Sequence, residues 1–261
     1  MECKNCGHNL RTDYRYCPDC GAKVIRNRIT FKNLWYDVLE RYFNLDNTFV
    51  KTFIHLFTQP ETVINDYISG IRRKYLNPIS YLGIALTLSG FIAFLMTKLS
   101  DKLNFDVFNT GNAGQSSEKI MDYTFDFQSL IFIFYIPIMA AASWLNFQKK
   151  QYNFSERVVV FMYTLAHYSL FIFIPSIVIL FSKPELYAKF ALLTVVSMYV
   201  YTTYVIKKIS KDTGIEFIAR ALLFCAVFTL LYLATSLVIP LLLLLTGEIS
   251  LHDFAPTKGG T

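Results

Sequence analysis

Four of the five cysteines lie within the first 20 residues, in two identical short motifs. Each motif is a Cys-x-x-Cys-Gly knuckle, and ten residues separate the two. The two-residue gap lets both thiolates of a knuckle reach one tetrahedral ion, and the glycine permits the left-handed turn that points backbone N–H groups at sulfur. The four soft ligands predict a structural Zn2+ site, with iron, a redox role or a vestigial site as alternatives. These ligands are Cys3, Cys6, Cys17 and Cys20.

The segment that carries these cysteines, residues 1–28, is too short to fold on an apolar core. Chains below about 40 residues need a metal or disulfides, and zinc contributes on the order of 10–16 kcal/mol in such peptides. The first residues lack the basic-then-apolar order of a secretory signal. We therefore expect the segment to stay in the reducing compartment of synthesis, where thiols bind metal.

The charge of this zinc ribbon does not favour nucleic acid. Residues 1–28 carry a net charge of +3, which four thiolates and one Zn2+ reduce to +1. This is weak for a surface that follows phosphates. Tyr14 and Tyr16 could stack on bases, but packing within the hairpin is the favoured role. We expect a protein partner on the cytosolic side and no nucleic acid.

A second group that could do chemistry is His167, the one ionisable side chain deep inside a long apolar run. An intramembrane histidine is a functional candidate by default, and Tyr163 lies one turn away, where we expect it to hydrogen-bond the ring. No Asp or Glu lies at similar depth to form a proton relay, so a neutral histidine bonded across helices is the favoured interpretation. His167 and Tyr163 are thus the predicted intramembrane polar site.

The sequence contains no catalytic motif. It has no G-x-S-x-G, no H-E-x-x-H, no phosphate-binding glycine loop and no paired carboxylates inside an apolar run. The lack of these motifs favours a protein that is not an enzyme. No motif in the sequence indicates a small-molecule substrate.

The composition is that of a membrane protein. Hydrophobic residues make up 54% and charged residues 17%, against about 25% charged in a soluble domain. The run from Pro78 to Lys98 begins after an Asn-Pro helix start and would extend about 31 Å as a helix, roughly one hydrocarbon thickness. Four further spans are predicted at 127–147, 158–181, 186–206 and 217–246.

Five spans place the two ends of the chain on opposite sides. With the N-terminus in the cytosol, 19 of the 25 Lys and Arg residues lie on the inner side. This follows the positive-inside rule. The short tail, residues 247–261, is then predicted to lie outside.

Between the ribbon and the first span, residues 29–77 show apolar side chains at helical spacing. Amphipathic helices in the headgroup region are the favoured interpretation, and a small soluble bundle folded on the membrane domain is the alternative. The three cations at the end of this segment, Arg72, Arg73 and Lys74, are predicted to contact anionic lipid headgroups.

The chain resembles a domain-of-unknown-function family of uncharacterised bacterial polytopic membrane proteins with an N-terminal zinc ribbon. The resemblance lies in the two knuckles, in residues 28–32, in 43–46 with Thr52, and in Pro60 followed by 67–70 and 72–78. It implies the bacterial cytoplasmic membrane and carries no established activity.

The predicted fold is an all-α membrane protein. A five-helix transmembrane bundle, residues 78–246, follows the amphipathic helices and the small ribbon. The favoured function is a non-enzymatic membrane scaffold, assembly or adaptor protein. The alternative is a transporter or lipid-handling protein with a pathway near His167 and the spans that Pro137, Pro175 and Pro240 interrupt.

Overall fold

The computed structural model describes residues 2–22, 24, 48–99, 103, 123, 127–147, 152–210 and 213–247. The chain divides into two compact units, Met1–Asp46 and Asn47–Thr261. The amphipathic helix expected at residues 31–43 lies outside the described residues, as do nearly all of the outer loop after Leu99 and the tail after Gly247.

The first unit is a small irregular ribbon. Glu2 and Asn9 form an antiparallel bridge, and the Val24 N–H donates to the Arg15 carbonyl at 2.9 Å. Its buried hydrophobic residues are Cys3, Leu10 and Cys17, against which Tyr14, Ala22 and Val24 pack. Two of the three buried residues of this cluster are therefore cysteines of the knuckles.

The described part of the second unit is helical throughout. The helices are α1 (Thr48–Thr58), α2 (Pro60–Ile68), α3 (Pro78–Lys98), α4 (Gln128–Asn146), α5 (Phe154–Ser182), α6 (Tyr187–Ile209), α7 (Gly214–Ser236) and α8 (Val238–Thr246), with a 3-10 turn at Pro184–Leu186 before α6.

Helix starts follow local sequence signals. The Asn77 side chain accepts a hydrogen bond from the Ser80 N–H at 2.8 Å, and Pro78 occupies the first turn of α3. Asn153 and Glu156 form a capping box at the start of α5. These caps satisfy N–H groups that would otherwise lack partners, so local residues set the beginnings of α3 and α5.

Among the residues that the structure describes, four helical segments are long and apolar enough to cross a membrane. They are Pro78–Lys98, Phe154–Ser182, Pro184–Ile209 and Gly214–Thr246. These segments correspond to four of the five predicted spans. The remaining prediction, residues 127–147, falls on α4, whose apolar stretch Leu130–Asn146 is shorter.

Helix α5 is the centre of the bundle. Half of its most apolar 18-residue window is buried, against 12% in the window of Gly214–Thr246. Its first turn carries Arg157. Arg157 is buried and donates to the Ser143 hydroxyl at 2.7 Å and the Ser143 carbonyl at 3.2 Å. The arginine therefore ties the start of α5 to the end of α4.

The prolines interrupt the bundle less than expected. Pro137 and Pro175 lie within continuous helices α4 and α5. Only the last predicted span is broken, at Leu237, and Pro240 lies in the first turn of α8. The first turn of a helix tolerates proline because its N–H groups have no helical acceptor.

Apolar side chains cover much of the outside of the bundle. On α7, Ile215 is 86% exposed, and on α8, Leu245 is 76% exposed. Large apolar surfaces of this kind suit contact with the lipid bilayer rather than with water.

Candidate functional site

The four knuckle cysteines converge on one point. Their Sγ atoms all lie within 4.8 Å of one another, and the structure could hold a metal ion there. The Cys3 and Cys20 sulfurs are 3.7 Å apart, and those of Cys6 and Cys17 are 3.6 Å apart. Two sulfurs bound to one tetrahedral zinc at about 2.3 Å would lie about 3.8 Å apart, so the spacing fits that ion.

The two knuckles have the same backbone geometry. The Gly7 N–H donates to the Cys3 carbonyl at 2.8 Å, and the Gly21 N–H donates to the Cys17 carbonyl at 2.9 Å. Both glycines have positive φ, 77° and 68°. Only glycine adopts this conformation without steric cost, so the residue after each second cysteine closes the turn.

The protein environment also acts on the thiols. Hydrogen bonds from the Asn5 side chain and the Ala22 backbone lower the pKa of the Cys20 thiol to about 6. At Cys6 the His8 backbone acts in the lowering direction, but the neighbouring Cys20 thiol raises the pKa to about 12. One exposed thiol of the cluster therefore ionises before the other.

His167 lies in an aromatic cluster built from four helices. Its side chain is fully buried. The ring centroids of Phe57 and Phe53 from α1 lie 4.2 and 4.8 Å from the imidazole, and that of Tyr201 from α6 lies 5.3 Å away. The Tyr81 ring from α3 stacks at 6.2 Å. The site therefore joins residues up to 148 positions apart in sequence.

The hydrogen-bond partner expected for His167 was wrong. The Tyr81 hydroxyl, not that of Tyr163, bonds Nδ1 at 2.7 Å, and Tyr163 donates to the Leu76 carbonyl at 2.7 Å. Helical side chains lean toward the N-terminus of the helix, so the Tyr163 hydroxyl points away from the residue one turn later. The expected bond across helices exists, but its partner comes from the first turn of α3.

Sequence reasoning missed the role of α1. The helical spacing of apolar residues in 29–77 predicts one apolar face for this helix, formed by Phe49, Val50, Phe53, Ile54 and Phe57. In the structure Phe53 and Phe57 pack on the bundle, whereas Val50 and Ile54 are 49% and 51% exposed. The phenylalanines at 49, 53 and 57 repeat at i, i+4, and so do Val50 and Ile54, but the second series is offset by one residue, about 100° around the helix. This offset is the signal that separates the two faces.

Two backbone contacts fix the end of α1 on α6. The Tyr201 hydroxyl donates to the Leu56 carbonyl at 3.1 Å, and the Tyr204 hydroxyl donates to the Phe57 carbonyl at 2.7 Å. These carbonyls belong to the last turn of α1, where no N–H group of the same helix donates to them. Helix α1 is thus packed against α6.

A small cavity adjoins His167. Its volume is about 70 Å³, and it is lined by Phe57, His167, Tyr168, Phe171, Ser197 and Tyr201. Tyr163 does not line it. The Tyr168 hydroxyl shares hydrogen bonds of 2.5 Å with the Thr194 carbonyl and the Ser197 hydroxyl.

The three cations before the first span are all exposed. Arg72 lies over the Tyr67 ring at 5.6 Å, and Lys74 pairs with Asp66 at 2.6 Å. The hydrogen bond that Lys74 donates to the Asp66 carboxylate raises the pKa of Lys74. Part of the positive charge in this motif is therefore balanced by protein, which leaves the headgroup role of Arg72, Arg73 and Lys74 a prediction.

Residues 46–90 match a family described as "Protein of unknown function (DUF3667)". This stretch contains α1, α2 and about half of α3, and it includes Phe53, Phe57 and Tyr81 from the His167 cluster. No curated protein and no solved structure matches the chain. The resemblance to a family of unknown function is confirmed for this segment, and the ribbon and His167 lie outside it.

Proposed function

We propose that this protein is a non-enzymatic membrane scaffold or adaptor that presents a zinc-folded ribbon to a protein partner in the cytosol. The observation that carries the proposal is the convergence of four thiols within 4.8 Å in a segment, residues 2–22 and 24, whose described residues include three in a buried hydrophobic cluster. In so small a segment, a bound metal would serve to fix the shape of the exposed surface. An exposed surface of fixed shape is what a protein partner would recognise.

Zinc fits this site as a structural ion. Cys3, Cys6, Cys17 and Cys20 would hold it, and four protein ligands leave no open position for substrate or water. The chemistry that zinc supplies here is cross-linking of the two knuckles, which stabilises their fold.

The ribbon surface offers an anchor for a protein. Tyr16 is 49% exposed, whereas Tyr14 packs against the buried cysteines. Exposed tyrosines are enriched at protein interfaces because they provide a large apolar area with a polar end. Together with the low net charge, Tyr16 favours a protein partner over nucleic acid.

The membrane part of the proposal has five spans, with 127–147 as the second. The apolar helix Leu130–Asn146 supports this count, since its length lies at the lower end of the range for a helix that crosses a bilayer, about 17–25 residues. The Lys and Arg distribution supports a cytosolic N-terminus and an outer C-terminus in a bacterial cytoplasmic membrane. Cysteine-accessibility labelling at residues 115 and 255 should place both positions outside.

Transport through the bundle has less support. The buried polar and charged residues of the described bundle include no Asp or Glu. The cavity near His167 has about 70 Å³, little more than two water molecules occupy in the liquid. A solute pathway would need a longer and more polar passage.

Site-specific photo-crosslinking tests the adaptor function. A photoreactive phenylalanine analogue at Tyr16 of the full chain in its native membrane should give a discrete protein adduct, and the same analogue at the exposed Asp13 should give less. Adding Cys6→Ser and Cys20→Ser should abolish the adduct. A Tyr16 adduct that persists without the thiols, or one made only with nucleic acid, would contradict the proposal.

A further inference from the structure

We propose that the cavity beside His167 binds the carbonyl end of an acyl lipid, which enters from the side of the bundle between α5 and α6. This inference goes beyond the adaptor function and does not depend on it. It rests on one unsatisfied nitrogen, on the chemistry of the cavity wall and on where the cavity opens.

The unsatisfied nitrogen is His167 Nε2. Within the described residues this buried atom has no hydrogen-bond partner. Two other buried polar atoms share that property, on Glu61 and Thr202, but neither residue lines the cavity. A buried polar group without a partner is costly, so a ligand that supplies one is favoured.

The direction of the hydrogen bond at Tyr81 indicates what Nε2 requires. The Tyr81 side chain is fully buried, and His167 Nδ1 is its one hydrogen-bond partner in the described part of the chain. The phenolic O–H is satisfied when it donates to Nδ1, which places the ring proton on Nε2. His167 therefore presents an N–H donor, and the ligand must bring an acceptor.

The rest of the wall favours a neutral acceptor with an apolar body. The Ser197 hydroxyl already donates to the Thr194 carbonyl at 3.0 Å and is bonded to Tyr168. The remaining lining is mainly the rings of Phe57, Phe171 and Tyr201, with no Lys or Arg to balance an anion. A carbonyl oxygen followed by methylene groups matches this wall, and 70 Å³ holds such an end group.

The cavity opens toward the outer surface of the bundle. Phe171, one of its lining residues, is 47% exposed. Exposed apolar side chains lie within one helical turn of lining residues on both helices, among them Ile174 on α5 at 62% and Val200 on α6 at 66% exposure. Because such a surface faces acyl chains in a membrane, the route into the cavity begins in the lipid phase.

The depth of the cavity matches that of lipid carbonyls. Lys207 and Lys208 end α6 and mark a membrane–water boundary, whichever side it faces. Tyr201 lies six residues before Lys207, a rise of about 9 Å along the helix. An acyl chain whose head lies at the level of these lysines therefore brings its first carbons and carbonyl to His167.

Photolabelling of the full-length protein in phospholipid nanodiscs tests this proposal. One arm uses a phosphatidylcholine with a diazirine close to the acyl ester, and the other uses palmitic acid with a diazirine close to the carboxyl group. Peptide mapping should place adducts beside Phe171, Ser197 or Tyr201. Labelling by the phospholipid alone assigns the site to an ester, and labelling by palmitic acid alone assigns it to a free acid.

Paired variants separate this binding from general lipid contact. Ser197→Leu fills the cavity and should reduce pocket labelling about tenfold, whereas Ser197→Ala loses the same hydroxyl and leaves the space open, so labelling should stay within about twofold. His167→Leu removes the donor and should cost about fivefold, and His167→Gln, which retains an N–H, should restore most of the labelling.

Size-exclusion profiles and unfolding curves identify variants that do not fold. If the variants at one position do not fold, the pair at the other position, Ser197 or His167, is sufficient to test the proposal. No pocket adduct in the wild-type protein from either probe would mean that water alone fills the cavity and would overturn the proposal. Equal labelling of the wild type and either leucine variant would also overturn it.

Discussion

The ribbon and the His167 cluster gather chemical groups in opposite ways. In the ribbon, four thiols meet within a stretch of 18 residues, and the spacing of each knuckle sets the geometry. Around His167, side chains from α1, α3, α5 and α6 meet because whole helices pack together. The first arrangement is local in the sequence, and we predict that a bound metal ion stabilises it. The second depends on the complete bundle.

Metal removal should separate the two regions most clearly. Cys6→Ser with Cys20→Ser should abolish stoichiometric zinc, since two thiolates do not hold the ion and its binding contributes on the order of 10 kcal/mol. The helical circular dichroism and unfolding transition of the bundle should stay unchanged, because unit Asn47–Thr261 is compact in itself. Elemental analysis of the purified protein gives the zinc content.

Cys225→Ser is the matched control, because this cysteine lies in α7 outside the cluster and should leave zinc at one per chain. Full zinc occupancy in the double variant would remove the basis for a ribbon folded by four thiolates.

This difference explains what could be predicted from the sequence. The ligands of the ribbon are visible because the two-residue gap and the glycine are local requirements. The start of α3 is visible because Asn77 and Pro78 are adjacent. The spans are visible because each is a continuous apolar run. In each case the residues that decide the structure lie within one segment.

The partners of His167 could not be predicted in the same way. His167 was conspicuous as an ionisable residue in an apolar run, but Tyr81 lies 86 positions away, and no spacing rule connects the two. Tyr163 attracted the prediction because i, i+4 residues share a helix face. The lean of the tyrosine side chain sends its hydroxyl to Leu76 instead. Long-range packing of this kind needs the structure.

Shortening one aromatic side chain of α1 in the His167 cluster should have the next largest effect. Phe57→Ala removes a ring that contacts His167, Phe171 and Tyr201. Because Phe57 is half-buried, we expect a loss of about 2–3 kcal/mol in the free energy of unfolding, below the range for a fully buried ring. Unfolding by SDS in micelles would measure it.

Ile54→Ala on the exposed face of the same helix is the control and should cost less than about 0.5 kcal/mol in micelles. Equal losses for the two variants would mean that α1 is not held by its aromatic face.

The hydrogen bond between Tyr81 and His167 gives a prediction with a smaller expected change in the free energy of unfolding. Tyr81→Phe leaves His167 Nδ1 without its donor and should cost about 1–2 kcal/mol. Tyr163→Phe should cost a similar amount, because the Leu76 carbonyl loses its donor. Single variants therefore do not discriminate between the two tyrosines.

Double-mutant cycles with His167→Leu discriminate between them. Tyr81 and His167 should show a coupling energy of about 1 kcal/mol, and Tyr163 and His167 should show little. A coupling energy for Tyr163 and His167 with none for Tyr81 and His167 would mean that Tyr163 is the hydrogen-bond partner, as the helical spacing predicted.

The smallest effect should come from Thr52, which links α1 to the residues before α3. Its buried hydroxyl accepts from the Leu76 N–H at 2.9 Å and donates to the Thr48 carbonyl at 2.6 Å. Thr52→Val keeps the shape and removes the acceptor, so an unsatisfied N–H should cost about 1 kcal/mol. Thr58 bonds only within its own exposed helix turn, so Thr58→Val should be nearly neutral. If Thr52→Val were equally neutral, α1 would be held by its aromatic rings alone, and the family-matched segment would dock through side-chain packing without this backbone link.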